Sequence, residues 1–292
     1  MPHSLLTMLL LLLCSGAAAF RICAFNAQRF AQGKVNKPKV VDFLVKILAR
    51  CDISVLQEVM DAKGKAVPAL MNALNQFDDL HSYSHLTSPL LGRGNYQERY
   101  VYIYRYIHLV QLLVAISMIG ATCVMEQKDN NDVLPKLVLI PQHTMPSKAE
   151  AEIDALYDVF LNVQERWATE DMIFLGDFNA DCGYVAKKRW KDIRLRQKPG
   201  FHWLIGDQAD TTVREKTHCA YDRWDQVCLA ENRNISTSDP FLFLFTFQAL
   251  EISDHYPVEV EFVSSCKKLQ PASLAGLVLL TIVVISDSRC GI

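Results

Sequence analysis

An α/β architecture is predicted, with two packed mixed β-sheets flanked by helices to give four layers. Three observations predict it. Short apolar runs alternate with amphipathic helical stretches along most of the chain. The late segments alternate apolar and polar residues one by one, as antiparallel strands with one covered face do. No internal repeat or long linker divides the 292 residues, a length that a two-sheet sandwich fills as a single domain. Half of the residues are hydrophobic, enough for the core such a sandwich encloses.

Taken in order, Phe20–Ala27 reads as a buried strand. Pro38 opens a helix to about Arg50, with Val41, Phe43, Leu44, Ile47 and Leu48 as its apolar side. Asp52–Gln57 is a second short strand, and Val67–Phe77 a second helix. Glu98–Arg105 alternates charged and aromatic residues, which predicts a half-exposed strand. Leu137–Pro141 is a strand followed by His143. Ser147–Trp167 carries the clearest helical spacing, in Ile153, Leu156, Phe160, Val163 and Trp167, and Ser147 with Glu150 reads as its capping box. Asp171–Leu175 and Tyr256–Val263 supply further strands.

The two ends stand apart from the domain expected over residues 20–263. Residues 1–19 read as a secretory leader, with an apolar stretch around Leu9–Leu13 and the small residues Ala17, Ala18 and Ala19 before a start at Phe20. In residues 264–292 small residues, a polar spacer with Lys267 and Lys268, and the apolar run Leu274–Ile285 match a glycolipid-anchor signal. That run is short for a spanning helix, which needs roughly 20 residues. The alternative is the plain tail of a secreted protein. A secretory route permits disulfides. Cys182 and Cys219 are the preferred pair, each flanking a candidate site segment, while Cys23 and Cys51 lie in apolar contexts and read as buried thiols. The sequon at Asn234 fits a glycosylated loop.

A net charge of −2 counts against a passive nucleic-acid binder, which usually carries a basic stripe. The chemistry-bearing residues gather at strand ends. Asp177 and Asn179 lie in GDFNADC, where the strand Asp171–Leu175 ends, Glu58 ends the strand Asp52–Gln57, Asn26 ends the first strand, His143 follows Leu137–Pro141, and Asp254 with His255 precede the last strand. Each alone could be a turn or a solvated strand end. Five strand ends that each deliver an Asn, Glu, His or Asp point together to metal-assisted phosphodiester hydrolysis. Neighbours along a strand point apart, so Asp254 does not orient His255, and that carboxylate must come from elsewhere.

The runs FRICAFNAQ, ILARCDISVLQEV, LGRGNYQERYVYIYR, LVLIPQHTMP, AEIDALYDVFLNVQ, GDFNADC, THCAYDR and ISDHYPVEV resemble the deoxyribonuclease I family of the endonuclease/exonuclease/phosphatase superfamily, in family order and over well over half of the chain beyond the leader. The FRICAFNAQ start, LARCDI, GDFNADC and the apolar tail favour its deoxyribonuclease I-like 1 branch. The resemblance implies a deoxyribonuclease I-like sandwich, Mg²⁺ or Mn²⁺ at the catalytic centre, structural Ca²⁺, and DNA as substrate of a monomer; it leaves actin binding open. It implies that Glu98 orients His143 and Asp222 orients His255. Glu58, Asp177, Asn26 and Asp254 would surround the metal, and Asn179, Tyr96 and Arg93 would meet phosphate or DNA. Asp210, Thr212 and Thr217 would hold the calcium, and Cys182–Cys219 matches the family disulfide.

The chain also departs from the family. Residues 106–132 lack the Arg-Glu-Pro triplet whose Arg contacts phosphate, and a buried strand is expected there within Leu109–Ile119. Residues 224–248 do not match the usual apolar strand. Met60 replaces an Arg that enters the minor groove in many members. Those departures support a rival expectation, a catalytically impaired relative that binds DNA or a protein partner. Another phosphodiesterase activity of the superfamily is a further rival, but THCAYDR and NYQERY match the nuclease branch.

Overall fold

A computed structural model describes residues 19–92, 96–105, 110–117, 120–127, 137–227, 234–237 and 246–263. Residues 20–231 and 235–262 form one compact unit, to which the features below belong. Residues 1–18 and 264–292, where the expected leader and tail signal fall, lie outside the described residues, and so does Arg93. Among the described residues no helix is long and apolar enough to cross a membrane.

The elements run β1 (Ala19–Phe30), α1 (Gln32–Val35), α2 (Pro38–Leu48), β2 (Ile53–Val59), α3 (Ala66–Phe77), β3 (Tyr83–Thr87), β4 (Arg99–Arg105), β5 (Val110–Ser117) and β6 (Gly120–Gln127). They continue with β7 (Leu137–Pro141), α4 (Ala149–Trp167), β8 (Met172–Asp177), α5 (Arg194–Gln197), β9 (Phe201–Trp203), β10 (Asp222–Val227), β11 (Asn234–Thr237), α6 (Thr246–Ile252) and β12 (Val258–Val263). One sheet has the order β11-β12-β1-β2-β4-β3 and the other β5-β6-β7-β8-β10-β9. β1–β2 and β7–β8 are parallel pairs, whereas β2–β4 and β8–β10 are antiparallel, so both sheets are mixed.

The layers follow from which face each side chain takes. Ile22, Ala24, Ile53, Val55 and Tyr102 of the first sheet pack on Leu139, Ile173, Leu175 and Trp224 of the second. The opposite faces bury Phe25, Leu56 and Val101 under α2 and α3, and Ile140 and Phe174 under α4. The four-layer sandwich predicted from the sequence is present.

Several local expectations are corrected. β4 is not half-exposed: Tyr100 through Ile103 are all buried, because β4 lies between β2 and β3 with Tyr100 and Tyr102 in the inter-sheet core and Val101 and Ile103 under the helices. The capping box at Ser147 does not form. A 3₁₀ turn over Pro146–Lys148 precedes α4, the helix has no side-chain cap, and Glu150 pairs with Arg189 instead. Cys23 and Cys51 are not thiols but a disulfide, with Cα atoms 6.1 Å apart. Parallel pairing of β1 with β2 sets Cys23 beside Ser54, which carries the turn holding Cys51 up to it. The strand expected within Leu109–Ile119 is present as β5, and it pairs with β6 as an antiparallel hairpin, with Ser117 opposite Gly120. The predicted Cys182–Cys219 disulfide is present.

Candidate active site

The sheet directions bring the candidate residues to one edge. Asn26 and Glu58 lie near the ends of the parallel strands β1 and β2, and His143 and Asp177 at or just past the ends of the parallel strands β7 and β8. Antiparallel neighbours start where these end, so Glu98 lies just before β4, Asp222 opens β10 opposite Asp177, and His255 lies just before β12. Ligand sites of open α/β sheets gather at such strand ends.

Irregular backbone completes the aim. Asn26 pairs with Gln57 and Phe30 with Val59, so three residues of β1 face Glu58 alone. A second irregularity lies between β2 and β4 at the same place. Gln28, Arg29, Glu58 and Asn179 all hold left-handed φ values, between 43° and 56°. Such conformations cost on the order of 1–3 kcal/mol each and cluster at functional sites. Gly176, at φ 121°, cannot carry a side chain, because a Cβ there would stand 2.4 Å from the Gln57 amide.

Two histidine–carboxylate pairs face one another across Asp177. His143 Nδ1 lies 2.7 Å from Glu98 Oε1, and His255 Nδ1 lies 2.8 Å from Asp222 Oδ2. Each ring therefore turns Nε2 toward the site: Nε2 of His143 is 3.6 Å, and that of His255 3.4 Å, from Asp177 Oδ2. Burial disfavours a charged His143, but Glu98, with Asp177 and Glu58 behind it, outweighs burial and pushes the ring up to about 9. In His255 the charges of Asp222 and Asp177 likewise overcome burial and push the ring up to about 10. Full burial raises the Asp222 carboxyl, and the charge of His255 opposes that rise.

Asn26 Nδ2 donates to Glu58 Oε1 (3.1 Å) and to Asp177 Oδ2 (3.0 Å), while its Oδ1 accepts the Gln28 N–H (2.9 Å). Its amide thus holds two carboxylates side by side and presents nitrogen, not oxygen, to them. Hard carboxylate oxygens gathered in one place are the donor set that Mg²⁺ or Mn²⁺ takes, and Asp177, Asp222 and His255 also place ligand atoms within 4.8 Å of one another. The donors fit a divalent ion.

The other predicted residues take these places. Asn179 donates to the Thr144 carbonyl (3.1 Å), and its own N–H meets Asp177 Oδ1 (2.9 Å). Tyr96 is exposed, with its ring 6.4 Å from that of His143, and partial desolvation together with the charges of Glu98 and Glu58 raises its pKa. Asp254 pairs with Arg214 at 3.4 Å. Asp210, Thr212 and Thr217 do come together: Asp210 Oδ1 accepts the Thr212 hydroxyl and N–H, and the Thr217 carbonyl lies against that hydroxyl. His218 Nδ1, 2.7 Å from Asp210 Oδ2, closes the group. The backbone of this loop bridges Thr212 to His255, and its Thr211 hydroxyl accepts the Asp222 N–H. Asn234 lies on β11.

Residues not singled out from the sequence complete the frame. Gln57 joins the sheets, donating to the Gln142 carbonyl (2.7 Å) and accepting the Asp177 N–H (2.9 Å). Tyr100 accepts the His143 N–H, and Ser253 links Asn26 to His255. The one signal available was a Gln beside Glu58 inside an apolar strand, since a buried amide must find partners.

The model of the Endonuclease/Exonuclease/phosphatase family matches residues 23–255. Among curated proteins the chain is 49% identical to "Deoxyribonuclease-1-like 1" of Sus scrofa, over 99% of this chain and 95% of that one. It is likewise 49% identical to the Homo sapiens protein of that name, over 96% and 97%. To "Deoxyribonuclease-1" of Sus scrofa it is 41% identical, over 84% and 92%. Among solved structures, an endonuclease/exonuclease/phosphatase family protein from Leptotrichia buccalis superposes with a TM-score of 0.56 at 16% identity, covering 84% of this chain and all of that one. The human Nocturnin catalytic domain gives 0.53 at 16%, covering 85% and 95%.

Proposed function

The chain belongs to the endonuclease/exonuclease/phosphatase family, and on that premise we propose a divalent-metal-dependent endonuclease that hydrolyses DNA and leaves the phosphate on the 5′ end of its products. The observation that carries this is the convergence of two imidazoles, each backed by its own carboxylate, on one oxygen of Asp177. One imidazole, in its neutral form, takes a proton from the attacking water and the other, protonated, gives one to the leaving 3′-oxygen, and such help contributes about 10²–10⁴-fold per group. Glu98 and Asp222 keep each Nδ1 engaged, so that the proton moves at Nε2. Glu58 and Asp177 would hold the metal, spaced by Asn26; when bound, it neutralises charge building on the phosphoryl oxygens. Asn179 and Tyr96 would meet phosphate or DNA. Identity of 41–49% to proteins named deoxyribonucleases supports DNA over other phosphodiesters.

The secretory leader, the tether in residues 264–292, the glycan at Asn234, the Ca²⁺ at Asp210, Thr212 and Thr217, and a monomeric state belong to the same proposal. Two disulfides are in keeping with an oxidising compartment. The second reading, an impaired relative that binds without cutting, is favoured by the absence of the family's Arg-Glu-Pro triplet from residues 106–132. Conversion of supercoiled plasmid by the purified chain, with Mg²⁺ and Ca²⁺ and then with EDTA, separates the two. Nicking that EDTA abolishes supports the nuclease. Retention of DNA with no product, from a folded chain, overturns it in favour of the binder.

A further inference from the structure

Lys34 lies on the single turn α1, yet its ammonium reaches into the frame of the site. It donates to the Ala27 carbonyl (2.9 Å) and to the Ile252 carbonyl. Ala27 follows Asn26, whose amide spaces Glu58 and Asp177, and Ile252 precedes the turn that presents His255. Ser253 runs beside this link. Its hydroxyl donates to the Asn26 carbonyl (2.6 Å) and accepts the His255 N–H (3.1 Å). Two ties thus join the end of β1 to the turn before β12, segments more than two hundred residues apart in sequence. The ammonium is half-buried: burial lowers its pKa to about 8, and the nearby charges of Asp254 and Glu58 oppose that fall.

We infer that Lys34 is a positioning residue, which sets the distance between the Asn26–Glu58–Asp177 side of the site and the His255 imidazole. This rests on the hydrolytic reading above. It touches neither the reacting groups nor the place a scissile phosphate would take, and it acts through two backbone carbonyls. Misplacement of a reacting group by about 1 Å costs on the order of 10²-fold in rate. DNA affinity, spread over many phosphates, depends little on that distance.

Lys34→Met keeps the stem and removes the donors, whereas Lys34→Arg keeps both charge and donors. Lys34→Met is expected to lower kcat on plasmid DNA by about 10–10²-fold with KM within about twofold, because only interactions made in the transition state are disturbed. Lys34→Arg should recover most of that loss. A crystal structure of Lys34→Met should show His255 Nε2 withdrawn from its 3.4 Å approach to Asp177 Oδ2. If Lys34→Met does not fold, Lys34→Gln, too short to reach both carbonyls, takes its place. A raised KM at unchanged kcat would overturn the inference by making Lys34 a substrate contact. Unchanged kcat with His255 in place would overturn it outright. If the parent chain cuts no DNA, the hydrolytic reading fails, and the position of His255 in the variant structure still decides this one.

Discussion

Asp225 offers a stability test that reads directly off the second sheet. It lies on β10 between Trp224 and Gln226, opposite Phe174 of β8 and Trp203 of β9. It is fully buried, and among the described residues neither carboxyl oxygen makes a hydrogen bond of good geometry, the His202 N–H giving only a weak approach. Burial raises its pKa well above the ordinary carboxylate range, against the opposing charge of Arg196. A buried polar group without partners costs roughly 1–3 kcal/mol. Asp225→Val removes that cost and adds an apolar contact beside Phe174, with some crowding to set against it. A net stabilisation of about 2 kcal/mol is expected, or about 4–8 °C in Tm for a domain of this size.

The pH dependence follows in sign. A group whose folded pKa is raised contributes stability that is fully present below its unfolded value, about 3.9, and lost as pH rises through the folded value. The gain from Asp225→Val should therefore be smaller near pH 4 than at neutral pH, where it is largest. Asp225→Asn should remove the pH-dependent part while retaining most of the unmet polar cost. Urea unfolding of the three proteins near pH 4.5 and pH 7.5 measures both effects. A Val variant less stable than the parent at pH 7.5, or a gain equal at both pH values, would refute the reasoning.

Other consequences concern the site and its frame. Glu98→Gln removes the charge behind His143 and weakens the tie to the Glu58 N–H (2.7 Å), so kcat on plasmid DNA should fall by about 10²–10⁴-fold at nearly unchanged Tm; a loss under threefold would count against the orienting role. Replacing both Cys182 and Cys219 by Ser opens a link spanning 37 residues and should lower unfolding free energy by about 2–4 kcal/mol, read by denaturant titration. The link anchors the loop bridged to His255, so kcat should fall as well, and a variant with parental activity would argue that the loop holds its place without it. Gln57→Leu deprives the Asp177 N–H and the Gln142 carbonyl of buried partners and should cost about 2–5 kcal/mol in the same titration. A change under 1 kcal/mol would contradict the view that Gln57 joins the sheets.

What was legible in the sequence was local. Leu137–Pro141 is bounded by its own composition, and Ile153, Leu156, Phe160 and Val163 mark the buried face of α4 by spacing alone. What was not legible depends on segments meeting across the chain. Gln57 reaches Gln142 across 85 positions and Ser253 reaches Asn26 across 227, and no window of sequence contains both ends. The Cys23–Cys51 disulfide needs the β1–β2 register before the two residues can be seen to meet. Glu58 and Asn179 take left-handed backbone without glycine to announce it, because surrounding bonds hold them there. The apolar run from Leu109 is too continuous to disclose the break between Ser117 and Gly120. The candidate site residues were found through strand ends and a family resemblance, whereas their mutual distances required the fold.

The central claim is that His143 and His255, converging on Asp177, carry phosphodiester hydrolysis. The most direct test compares the parent chain, His143→Ala and His255→Ala in one plasmid-cleavage assay with Mg²⁺, with circular dichroism establishing that all three are folded. Each substitution is expected to lower the rate by at least about 10²-fold. Cleavage at the parental rate by either folded variant would contradict the claim.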